Sequence, residues 1–272
     1  MTLRLAGHLG VRAPDAPLFK HLAAADATAQ IAFLAAQGFA GANDNYLLLR
    51  TPEAQADLGR ALKHHGLTMG SFVHDPLNWN RPVWSGPLEP LRAALDIGLA
   101  AAARTGGRTI NIVTGRDPLL TPDHQRGIMA ANLRTLGDRA DAAGVRLCVE
   151  ATHPTFAPGL LVERWVDALD LVRSADHPAV RLTVDIGHIA LHGDDPVAAI
   201  TTSAPWIGIV QAADLPGRVE PGAGELNWPA IAAALAAAEY SGLIELELEP
   251  AVEGAAGERA MLARLATLGW LP

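Results

Sequence analysis

Cysteine occurs once in the 272-residue chain, at Cys148, which excludes an intrachain disulfide framework and a cysteine zinc cluster. Lying beside Glu150 in an apolar stretch, that thiol reads as a core residue. Lysine is almost as scarce. Lys20 and Lys63 both fall in predicted helical segments, so Schiff-base catalysis from a strand end is not expected. Basic residues number 21 against 29 acidic ones, a formal net charge of -8, which disfavours an extended surface for nucleic acid or anionic membrane. No uncharged run reaches the ~20 residues that span a bilayer, and the opening MTLRLAGHLG is too short and polar for a signal peptide. A soluble cytoplasmic protein is expected. No G-x-G-x-x-G joins a predicted strand to a helix and no P-loop occurs, so nothing points to nucleotide binding. Acyl-enzyme chemistry lacks a nucleophile as well, since there is no G-x-S-x-G elbow.

What the chain has instead is a regular alternation. Apolar and β-branched patterning predicts strands at 3–8, 41–43, 67–74, 109–114, 146–152, 180–188, 207–211 and 243–248. Amphipathic Ala/Leu-rich segments lie between them, for example 91–104, 128–143, 165–174 and 228–240. A Gly recurs where helix gives way to strand, at Gly38, Gly66, Gly144 and Gly242, as a helix C-terminus prefers. Eight strands each followed by a helix imply parallel pairing, and closure gives a (β/α)8 TIM barrel, a single domain over residues 1–272. An open doubly wound sheet is the alternative, weakened by the missing nucleotide motifs.

In such a barrel the chemistry collects at the C-terminal strand ends. Those ends are His8, Asn43, His74, Thr114, Glu150, Asp185 with His188, Gln211 and Glu247. The last four strands therefore supply Glu150, Asp185, Gln211 and Glu247, spaced by 35, 26 and 36 residues, about one βα repeat each. Taken singly, each has a plain structural role open to it: Glu150 in a salt bridge, Asp185 as a cap, Gln211 bonded to backbone. Taken together, three carboxylates in an apolar mouth without a nearby lysine call for a cation. All-oxygen donors favour Mg2+ or Mn2+. Glu245 shares the face of Glu247 by period two, points into the barrel, and needs a partner of its own. His188 is a candidate substrate donor or proton relay, and His74 a candidate for the same mouth. After the strand at 207–211 comes a loop of about a dozen residues holding Arg218, which suits bidentate grip of a substrate carboxylate or hydroxyl.

The segments LCVEAT, TVDIGH, VQAADLPGRVEPGAGELNW and ELEP together resemble the hydroxypyruvate isomerase group of the xylose-isomerase-like barrels, most strongly over residues 146–250. The resemblance implies a metal site of Glu150, Asp185, Gln211 and Glu247, with Glu150 and Glu247 as the proton-transfer pair. Gln211 is informative, because related sugar epimerases usually carry His there. The chain departs from the group at Asn43 (often Glu), Val219 (commonly His), Leu248 (frequently aromatic) and His74 (usually not His). The implied activity is an intramolecular oxidoreductase: a divalent-metal-dependent aldose–ketose isomerase acting on a small hydroxycarbonyl compound through an enediolate. Rival readings are a ketose 3-epimerase or keto-inositol isomerase, or a metal-dependent lyase or dehydratase on a sugar-derived ketone. An endonuclease-IV-like DNA repair enzyme and a non-catalytic binding barrel are further alternatives. The expected partner is a small-molecule substrate, not nucleic acid or membrane, and a homo-oligomer is compatible with the sequence.

Overall fold

The alternating pattern becomes one parallel sheet wrapped by helices in the computed structural model, which describes residues 3–272. The strands are β1 (Arg4–His8), β2 (Gly41–Asn43), β3 (Thr68–Met69), β4 (Phe72–Val73), β5 (Thr109–Ile112), β6 (Arg146–Glu150), β7 (Val180–Asp185), β8 (Ile207–Ala212) and β9 (Leu243–Leu246). Around them lie α1 (Ala27–Ala36), α2 (Pro52–His65), α3 (Leu88–Thr105), α4 (Pro122–Ala142), α5 (Trp165–Ala175), α6 (Ile186–Leu191), α7 (Pro196–Ser203), α8 (Trp228–Ala237) and α9 (Ala255–Thr267). Helices start where a side chain accepts a backbone N–H: Asp26, Thr51, Thr121 and Asn227 do so for α1, α2, α4 and α8. No helix of the described residues is long and apolar enough to cross a membrane.

The strand order is β3-β2-β1-β9-β8-β7-β6-β5-β4, all parallel. The sheet curls into a nearly closed barrel whose two edges, β3 and β4, are separated by Gly70 and Ser71 alone. The stretch expected as one strand at 67–74 is therefore two short pieces, the first paired with β2 and the second with β5. The cause lies across the barrel on β9. The buried Glu245 carboxylate accepts from Ser71 N at 2.7 Å, a backbone donor the ladder would use, and from Ser71 Oγ at 2.5 Å. A Cβ on Gly70 would come within 2.7 Å of Glu245 Oε1, so this close approach needs glycine. Here is the partner Glu245 required.

Period two divides the strand residues between two environments. Leu147, Val149, Leu182, Val184, Val210 and Leu246 join the main hydrophobic core. Burying one such side chain fully is worth about 1.5–3 kcal/mol. The alternate positions, Asn111, Glu150, Thr183, Asp185, Gln211 and Glu245, are buried and polar, and they hydrogen-bond one another or neighbouring elements. Four strands end earlier than expected, at Ile112, Glu150, Asp185 and Leu246. Asp185 accepts from His188 N at 2.7 Å and so starts α6, which puts His188 in a helical first turn rather than on a strand. Glu247 lies one residue past β9.

Candidate active site

Register sets the frame of the site. Glu150 pairs with Thr183, Asp185 with Gln211, and Gln211 with Glu245. From that frame the side chains meet at one rim. His188 Nε2 stands 3.7 Å from Glu150 Oε1 and 3.7 Å from Asp185 Oδ2. Arg218 donates from Nη1 and Nη2 to the Asp185 carboxylate at 3.2 and 2.9 Å, and from Nη2 to the Glu247 carbonyl at 3.1 Å. Gln211 Nε2 donates to Glu247 Oε1 at 2.8 Å. The four polar strand ends thus come together, joined through His188 and Arg218. Ligand atoms of Glu150, Asp185 and His188 all lie within 4.8 Å of one another, the geometry of a divalent-metal site.

Charge and burial reinforce this. Burial, with the nearby charges of Glu247 and Asp185, raises Glu150 well above the usual carboxylate range. Burial also lifts Glu247 to about 7, although Arg218 opposes it. Asp185 goes the other way: burial would raise it, but Arg218 and His188 outweigh that and hold it low. Burial brings His188 down to about 4, so its imidazole is neutral at pH 7 and free to donate or ligate. With all three carboxylates ionised around a bound cation, the one guanidinium would leave two negative charges, which a divalent ion matches. Gln211 Oε1 is a buried acceptor with no partner, as a ligand atom facing a cation would be. The oxygen-rich donor set fits Mg2+ or Mn2+.

Several supporting residues escape a reading of the sequence. Asn111 donates to Glu150 Oε2 and accepts from Thr183 Oγ1 at 2.8 Å, while Thr152 Oγ1 donates to Glu150 Oε1 at 3.2 Å. A polar residue inside the buried TINI strand was the available signal for Asn111. Asn45 donates to Glu247 Oε1 at 3.0 Å from a loop that carries no signal. The loop bearing Arg218 is folded around Asp214. Its carboxylate accepts from the backbone N–H of Leu215, Gly222, Gly224 and Leu226 and from Trp228 Nε1, at 2.8 to 3.1 Å.

The rim opens into a cavity of about 390 Å³, lined by Glu150, His188, Arg218 and Glu247 and walled by Arg12, Tyr46, Trp79 and Phe156. That volume suits a small ligand. Phe156 packs against His188 at 5.6 Å and lies under the Arg218 guanidinium at 5.4 Å. His74 stands outside this lining: it is buried against Trp84, with ring centroids 4.9 Å apart. His8 hydrogen-bonds the Leu248 carbonyl at 3.0 Å and belongs to the scaffold. Arg218 does reach the cavity, but its planar fork already grips Asp185.

Comparison with known proteins agrees with this architecture. The chain is 28% identical to 2-oxo-tetronate isomerase of Pectobacterium atrosepticum over 71% of its own length and 76% of the relative's. A solved structure described as an AP endonuclease, family 2, from Brucella melitensis superposes with a TM-score of 0.83 at 25% identity, covering 98% of this chain and 99% of that one. The 3-keto-D-glucoside 4-epimerase YcjR of E. coli gives a TM-score of 0.77 at 20% identity, covering 97% and 99%. Hydroxypyruvate isomerase, D-psicose 3-epimerase and 3-dehydroshikimate dehydratase also match, and no one subfamily stands apart. One curated relative and several solved structures of this fold, the latter at 20% identity or less, are described as epimerases. The Glu150–Asp185–His188 triad is accordingly that of a metal-dependent isomerase/epimerase-type enzyme. A family model described as xylose isomerase-like TIM barrel matches residues 26–265, and with the curled parallel sheet and its rim triad in accord, the chain belongs to that family.

Proposed function

We propose that the chain moves a proton on the carbon beside the carbonyl of a short hydroxy ketone, with Glu150 and Glu247 as the acid–base pair. The observation that carries this reading is the placement of two buried glutamates in one cavity, Glu150 beside His188 at 3.7 Å and Glu247 beside Arg218 at 3.7 Å. Glu150, Asp185 and His188, with Gln211 and Glu247 adjoining, would hold a divalent cation, which would supply Lewis-acid charge beside the substrate carbonyl. Glu247, raised to about 7, is matched to proton exchange near neutrality. Glu150, held by Asn111 and Thr152, is the second exchanging group. Arg218 keeps Asp185 ionised. Phe156 and Trp79 line the cavity with aromatic surface.

Two separate acid–base groups support epimerisation best, because inversion needs one group to take the proton and another to return it on the opposite face. Relatives named as psicose 3-epimerases and a keto-glucoside epimerase favour the same outcome. A second reading, 1,2-isomerisation of a short oxo acid as in hydroxypyruvate isomerase, is favoured by Gln211 at the β8 end and by relatives named 2-oxo-tetronate isomerase. Incubating Mg2+- or Mn2+-loaded protein in heavy water with a ketose panel and with hydroxypyruvate separates them. Epimerisation gives a ketose deuterated at the inverted carbon; isomerisation gives tartronate semialdehyde. Absence of deuterium uptake by every substrate overturns both.

A further inference from the structure

Two guanidinium groups reach the cavity, and they differ in commitment. Arg218 is bound through both Nη atoms to Asp185. Arg12 is exposed on the cavity wall, and its guanidinium makes no hydrogen bond or ion pair among the described residues. Other exposed arginines are also unpaired, Arg81, Arg116 and Arg259 among them, but of these Arg12 alone lines the cavity. Arg12 is held in place through its backbone, whose carbonyl accepts from Tyr46 Oη at 3.0 Å. Next to Tyr46, Asn45 donates Nδ2 to Glu247 Oε1, while Asn45 Oδ1 is buried and accepts nothing. From Glu247 outward the wall therefore presents an unpartnered acceptor and then an unpaired, bidentate cation.

We propose that this wall selects substrates that end in an anionic group, a carboxylate or a phosphate. Arg12 binds that terminus, and Asn45 Oδ1 accepts from a hydroxyl between it and the reacting carbon. Guanidinium matches either anion in geometry, and a buried orphan acceptor discriminates strongly for a donor. The inference rests on the proton-transfer reading above and adds the charge and polarity of the substrate.

Calorimetric titration of the full-length, Mg2+-loaded protein with three non-reacting four-carbon probes tests it: D-erythronate, erythritol 4-phosphate and neutral erythritol. At least one anion is expected to bind tenfold or more tightly than erythritol, and the stronger of the two identifies the terminus. Arg12→Gln removes that preference without changing erythritol affinity; Asn45→Ala weakens all three alike. Because the Arg12 side chain is exposed and makes no hydrogen bond or ion pair, its replacement is expected to leave the urea unfolding midpoint unchanged. Equal affinity for the three probes, or an anion preference that survives Arg12→Gln and so arises at the cation, overturns the proposal. The binding result is independent of turnover. Loss of preference in Arg12→Gln without deuterium exchange on any ketone would sink the proton-transfer reading alone, and exchange with an unchanged preference would sink this inference alone.

Discussion

Two sets of buried carboxylates in this molecule have opposite surroundings. Asp214 receives four backbone N–H groups and an indole N–H, and Glu258 receives the backbone N–H groups of Lys20, His21 and Leu22 together with the His21 ring. These are saturated anions, each tying a loop to the barrel. Glu150 and Glu247 have fewer donors and stand near other carboxylates, and both are pushed up in pKa. The difference teaches how one fold uses the same functional group twice. Where the backbone supplies donors, the carboxylate organises structure. Where it is left short of them, it takes up a proton or a cation.

Breaking the unsaturated set costs function. Glu150→Gln and Glu247→Gln are each expected to slow turnover by roughly 10²–10⁴-fold, while the urea unfolding midpoint does not fall, since a buried charge is removed. A marked loss of stability in both variants would erase the distinction drawn above. Breaking the saturated set costs stability. Asp214→Ala leaves five donors unmet and is expected to lower unfolding free energy by about 3 kcal/mol, read from urea titration, with the Arg218 loop loosened. The third expectation is the smallest and concerns protons. Glu247, near 7, holds its proton at mildly acid pH, and a cation must displace it; burial and neighbouring carboxylates push Glu150 in the same direction. Affinity for Mn2+ should therefore rise by about tenfold between pH 6 and pH 8 and then level off. Titration calorimetry across that window checks it, and a flat profile would mean both glutamates are already ionised.

Much of the chemistry-bearing half was legible along the chain. Glu150, Asp185, Gln211 and Glu247 close four successive strands, and period two plus the helix–Gly–strand junctions placed them at one rim. His188 was legible as a site residue but not as helical, because Asp185 serves both as a strand end and as the cap of α6. The split of the third strand was not legible, because its cause, Glu245, sits 174 residues from Ser71. Arg218 was visible as a cation near the site, but not that Asp185 would occupy its fork. Asn45 and Arg12 left no mark at all, since an isolated polar residue in a loop looks the same whether it faces water or a cavity.

The order of residues alone set the alternation of strand and helix, the inward and outward faces, and the rim on which the acids gather, because these follow from periodicity and chain connectivity. Tertiary structure decided which of those acids lie close enough to share a cation, which are quenched by backbone donors and which guanidinium reaches the cavity unpaired. Those outcomes depend on distances of a few ångström between segments far apart in the chain, and electrostatic and hydrogen-bond energies at that range turn on where the folded barrel puts each atom.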